Sequence, residues 1–175
     1  QAYIYYLQTI NKINSQSNFL VLFSKYKDLL YVNEYSKYIN DTRLILAHCY
    51  FSTNQENTAL TLLDSVEVNN NNYRLIQYIK MWSYFRLERD QEAMTITTTL
   101  MDSLYNLENK DSLTVSLLNE SFFLFSLVYT VNEKWDQFIE HYQDKPYFKD
   151  LAYHVGQAYL EYSRYFDQGY NLLKY

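Results

Sequence analysis

The sequence predicts an all-α chain of antiparallel helical hairpins, and three observations carry that expectation. Gly156, Gly169 and Pro146 are its only glycines and proline in 175 residues, where average usage would supply roughly twelve and nine. Apolar residues recur at three- and four-residue spacing almost from end to end, and no Asn-Gly or Asp-Gly hairpin turn occurs. Tyr50 followed nine residues later by Ala59 recurs as Tyr84 with Ala93, both members of the second pair 34 residues beyond the first. That is the period of a helix-turn-helix repeat.

Short polar segments at Asn14–Asn18, Asn40–Asp41, Asn54–Glu56, Asn69–Asn72, Glu88–Asp90, Glu108–Asp111, Asn132–Lys134, Gln143–Pro146 and around Arg164 divide the chain into about ten helices. In the first, Tyr3 to Tyr6 would suit a strand by composition, but Ile4, Leu7 and Ile10 recur every three residues. In the second, Phe19, Phe23, Tyr26 and Leu30 form an apolar stripe, with Lys25, Lys27 and Asp28 on other faces. In the fifth, Leu75, Ile76, Ile79, Trp82 and Phe85 do the same. Asp41, Asp90 and Asp111 are placed to accept hydrogen bonds from the first free N–H groups of helices, and Pro146 stands where a preceding helix must have stopped. The apolar run Phe122 to Val131 covers about ten residues, short of the ~20 needed to span a bilayer, and reads as a core helix.

Composition excludes several function classes. Two widely spaced glycines cannot build a phosphate-cradling loop or a dinucleotide fingerprint. A net charge of -5 and a pI near 5.2 oppose a phosphate-neutralising surface, and the basic residues Arg74, Lys80, Arg86 and Arg89 are diluted by acidic neighbours, so no nucleic acid is expected. Cys49 is the single cysteine, which rules out an internal disulfide and leaves the compartment open. It neighbours His48, but adjacent helical residues diverge by about 100° and do not face each other. His48, His141 and His154 lack a second histidine four residues away, so no zinc helix is expected, and no glycine-containing calcium loop is present. Glu133, Asp136 and Glu140 read as a solvated helix face. No cofactor, metal or catalytic residue is expected. The start at Gln1 suggests a processed or trimmed chain, and the aromatic ending Tyr170 to Tyr175, without a polar capping helix, suggests a chain that continues or an end that docks.

The segments Leu46-Ala47-His48-Cys49-Tyr50 and Ala59-Leu60-Thr61-Leu62-Leu63 resemble the tetratricopeptide repeat, with its Leu-Gly/Ala-x-x-Tyr in a first helix and Ala-x-x-x-Phe in a second. Tyr129 and Phe138 form a third copy, with Phe where a small residue is expected and 45 residues from Tyr84, which implies longer helices or an enlarged loop. Gly156, Tyr159 and Gly169 form a fourth, one residue out of register. The resemblance implies a single domain over 1–175, with degenerate helices in 1–40 and about four hairpins in 41–175, stacked as a right-handed superhelix. Ala47 and Ala59 would let paired helices approach closely. In the family's register the first helices line a concave face. They would present Leu44, His48 and Phe51, then Tyr78, Trp82 and Phe85, then Phe123, Leu127 and Thr130, then Tyr153, Gln157 and Leu160. The same residues at helical spacing would serve equally as core. The lysines, asparagines and arginines of the family's chaperone-binding clamp have no counterpart at Leu44, His48, Ile79, Glu120 and Leu124. The expected role is a noncatalytic adaptor or scaffold that holds a protein or peptide partner, a partner helix or a second copy. A peptide- or ligand-sensing regulatory domain is the alternative.

Overall fold

Helical periodicity without turn-forming residues yields helices along the described residues. The computed structural model describes Val21 and residues 39–68, 72–131, 135–162 and 166–174, without the side chains of Trp135, Asp136 and Phe166. Among the described residues there are eight α-helices and no strand: α1 Ile39–Ser52, α2 Glu56–Asp64, α3 Tyr73–Arg86, α4 Asp90–Leu104, α5 Ser112–Val131, α6 Trp135–Tyr142, α7 Phe148–Tyr162 and α8 Phe166–Leu172. The helices expected before residue 39, including the stripe from Phe19 to Leu30, lie outside the described residues. The chain divides into two compact units, Gln1–Leu87 and Glu88–Tyr175.

The 34-residue period is a period of backbone geometry. α1 and α3 are each 14 residues long, and both α1/α3 and α2/α4 begin 34 residues apart. Three residues of sequence separate α1 from α2, α3 from α4, α5 from α6 and α7 from α8. In the first two turns the middle residue is left-handed without being glycine, Asn54 and Glu88 both at φ 57°. Gln55 N–H donates to the Tyr50 carbonyl at 2.9 Å and Asn54 N–H to that of Phe51 at 3.2 Å, which together close a Schellman turn. Thr53 N–H reaches the carbonyls of Cys49 and Tyr50, and 34 residues on Leu87 N–H reaches those of Ser83 and Tyr84.

Side chains follow the same register. Tyr50, Tyr84 and Tyr129 occupy the third-last place of α1, α3 and α5, while Tyr159 stands one place earlier in α7. Ala59, Ala93, Phe138 and Gly169 occupy the fourth place of α2, α4, α6 and α8, and all four are buried. The 45-residue spacing comes from longer helices and not from a longer loop. α4 has 15 residues against 9 in α2, and α5 has 20 against 14 in α3.

In the first unit α1 packs on α2, and α2 and α1 both meet α3. Ala47, Phe51, Ala59, Leu63, Val66, Ile76 and Ile79 form the core there. In the second unit α5 lies between α4 and α7, and α8 packs on α7. The two glycines of the chain face each other across that last hairpin: a Cβ on Gly169 would lie 2.8 Å from the Gly156 carbonyl oxygen. Phe138, fully buried where the other hairpins carry a small residue, joins Phe125, Tyr129, Tyr142 and Phe148 in an aromatic cluster with ring centroids 5.5 to 6.5 Å from its own.

Two expected helix caps are corrected. Asp41 and Asp90 lie inside the first turns of α1 and α4, where their charge favours the helix N-terminus without capping it, because the helices begin at Ile39 and at Asp90 itself. Asp111 does cap α5: its Oδ1 accepts from Thr114 N–H at 2.8 Å and from the Thr114 hydroxyl. Pro146 falls in the connection between α6 and α7. The apolar run becomes part of α5, which by length and composition is long and apolar enough to cross a membrane, yet 61% of its apolar window is buried in the fold.

Candidate functional site

The residues expected on the contact face lie on the first helices, α1 and α3 in one unit and α5 and α7 in the other. In the first unit Leu44, Tyr78 and Trp82 are half-buried and pack on the core, while Phe51 is inside it. Phe51 meets Tyr78 edge to face at 6.1 Å, and Trp82 meets Phe85 in the same way at 5.8 Å. The Arg86 guanidinium lies 4.2 Å above the Phe51 ring and donates to the Phe51 carbonyl and to Glu56 Oε1 at 3.1 and 3.2 Å. Leu44, Phe51, Tyr78 and Trp82 therefore share one core between α1 and α3, and Phe85 meets that core's edge only through Trp82 on its own helix. His48 is half-buried, and burial pulls its pKa down.

In the second unit a groove of about 420 Å³ runs between the first helices α5 and α7. Val115, Leu118, Asn119 and Phe122 sit at three- and four-residue steps along one side of α5, and Asp150, Tyr153 and His154 do so on α7. Tyr105 and Lys110, from the connection before α5, close one end. The Tyr105 hydroxyl donates to Asp150 Oδ2 at 2.9 Å, and that bond raises the phenol's pKa. Lys110 Nζ lies 5.2 Å from the Tyr105 ring centroid. His154 stacks on Phe122 at 5.4 Å and 25°. Burial lowers its pKa against the opposing pull of Asp150, so the imidazole is neutral at pH 7 and serves as an aromatic surface. Tyr153 and Val115 are 56% and 44% exposed.

Of the remaining expected residues, Tyr153 lines this groove and Phe123 does not. Phe122 faces the groove, and its neighbour, turned by about 100°, is 40% exposed elsewhere on α5. Leu127, Gln157 and Leu160 are half-buried, and Thr130 is buried with its hydroxyl on the Ser126 carbonyl. Sequence reasoning missed Val115, Asn119 and Phe122, which the spacing from Tyr129 back along α5 contained. It also missed a second cleft on the second helices, between α4 and α6.

The buried Cys49 thiol is pushed up to about 11, so it stays protonated near neutral pH. Lys80, Arg86 and Arg89 are paired with Asp64, Glu56 and Glu92 at 2.9, 3.2 and 2.6 Å. Among the described residues no three His, Cys, Asp or Glu side chains gather as a metal site. Compared with protein-family models, with curated proteins and with solved structures, the chain matches none.

Proposed function

We propose that this chain is a noncatalytic adaptor of the divergent tetratricopeptide-like kind, which holds an apolar peptide segment or a partner helix in the groove between α5 and α7. The observation that supports this most is the common construction of four helix pairs: a spacing of three residues between the helices of each, and a buried residue in the fourth place of each second helix. Repeats built this way cover one another's apolar sides and leave the outer faces of successive first helices for partners. The groove supplies what such a partner needs. Exposed Val115 and Tyr153 bracket a floor of Leu118, Phe122 and neutral His154, and an amide and an ammonium stand at its rim. Tyrosine combines an apolar body with a polar tip, which suits an anchor at a contact surface.

Random peptides displayed on phage and selected against the folded chain test this. They should converge on a consensus containing an aromatic or aliphatic residue, and a synthetic consensus peptide should bind with a dissociation constant in the micromolar range. Tyr153→Ala and Val115→Asp should each weaken it about tenfold with unchanged far-UV circular dichroism, and the peptide should come back intact after incubation. A selection without a consensus, a peptide indifferent to both substitutions, or a peptide chemically altered by the protein would overturn the proposal.

A further inference from the structure

The cleft on the second helices has a different chemistry from the groove. It measures about 560 Å³, within the range of small-molecule sites, roughly 300 to 1,000 Å³. Its floor is apolar, with Met94 from α4 and Val128 and Tyr129 from α5, and its far wall is Gln137 and Tyr142 of α6. Its near wall is the threonine run of α4. Four threonines at 95, 97, 98 and 99 are an expensive choice for a helix, since a β-branched residue is roughly half a kcal/mol worse than alanine at each place. Thr97 is buried and bonded to the Ala93 carbonyl. Thr95 and Thr99 are exposed, so packing gives no reason for them. Their hydroxyls donate to the carbonyls of Gln91 and Thr95, both at 2.8 Å, and keep oxygen lone pairs for an acceptor role toward the cleft.

Charge narrows the ligand. No lysine or arginine lines the cleft, which removes the usual hold on phosphate or carboxylate. At its far end Asp102 takes Lys145 Nζ on both carboxylate oxygens, at 2.9 and 3.0 Å, and the Tyr147 hydroxyl at 2.7 Å, so that carboxylate has little left for a cation. Beside Asp90 and His141, the remaining lining is a row of hydroxyls and amides above an apolar floor, with Thr95 and Thr99 one helical turn apart, about 5.4 Å, and the Asp90 carboxylate can accept from a sugar hydroxyl as a threonine oxygen does. A ring with C–H groups on its face and hydroxyls on its edge matches both surfaces. We infer that this cleft binds a neutral saccharide of one or two pyranose units, its ring face on Met94 and Val128 and its hydroxyls on Thr95, Thr99 and Gln137.

The test is an amide NMR titration of the full chain with maltose, cellobiose, lactose and N,N′-diacetylchitobiose in turn, and with spermidine as a cationic probe. At least one disaccharide should give saturable shifts, in the millimolar range, centred on the amides of α4 and α6. Thr95→Val and Gln137→Ala, both at exposed positions, should each weaken that binding about fivefold or more, while Tyr153→Ala in the other groove should leave it unchanged. Silence with all four sugars, shifts centred on other helices, indifference to both cleft substitutions, or a response to spermidine alone would each overturn the inference. The peptide-binding proposal would stand in any of those cases.

Discussion

Asn54 and Glu88 hold the same left-handed backbone in equivalent turns, but only one of them is suited to it. Asparagine tolerates that region because its short polar side chain bonds locally, whereas a longer side chain meets the clash between Cβ and the following carbonyl. Glu88→Gly should therefore raise stability by about 1 kcal/mol, and Asn54→Gly by less, read as shifts of the urea midpoint. A lower midpoint for Glu88→Gly would mean that its side chain contributes more than the strain costs. Gly169 is the opposite case. There φ is ordinary, and the constraint is distance, since a Cβ would press on the Gly156 carbonyl oxygen at 2.8 Å and on Tyr159 Cβ at 3.0 Å. None of these atoms is the free end of a flexible chain, so Gly169→Ala should cost about 1–3 kcal/mol by overpacking. The same alanine is native at Ala59, inside the core that α1, α2 and α3 share.

The hairpins show how an element keeps its register while its filling changes. In the third, Phe138 stands in the place of Ala59 and Ala93, and α5 is longer than the first helices of the earlier pairs. A consensus argument would restore alanine there. Packing argues the reverse, because the ring is fully buried among Phe125, Tyr129, Tyr142 and Phe148 and its removal leaves a void that these rigid neighbours do not fill. Phe138→Ala should cost about 3–5 kcal/mol in chemical denaturation, the usual range for such a truncation. A nearly neutral result would show that the third hairpin can collapse to the geometry of the first two.

At the scale of the whole molecule, two half-buried histidines, one in each unit, make stability depend on pH just below neutrality. Burial lowers the pKa of both His48 and His154. Above the unfolded value of about 6.5 both states hold neutral imidazole and no penalty applies. Below it the unfolded chain takes up protons that the folded chain refuses, so stability falls as the pH drops from about 6.5 toward the lowered folded values. The unfolding midpoint should decline between about pH 7 and pH 5.5, and the double substitution His48→Gln with His154→Gln should flatten that decline. An undiminished decline would place its origin in other groups.

Helix content, the tight connections after α1 and α3, and the 34-residue spacing of Tyr50 with Tyr84 and Ala59 with Ala93 were legible in the sequence alone. They depend on periodicity and turn chemistry within a few residues of each site, and local order suffices to specify them. Packing between helices distant in the chain decided the rest. It turned Phe122 and not Phe123 into the groove, took Phe51 into the core, accommodated Phe138 where a small residue was expected, and brought the threonines of α4 opposite Tyr142. A helical pattern says that a residue lies on a given stripe, but neighbouring residues diverge by about 100°, and which stripe meets another helix is settled only when both are in place.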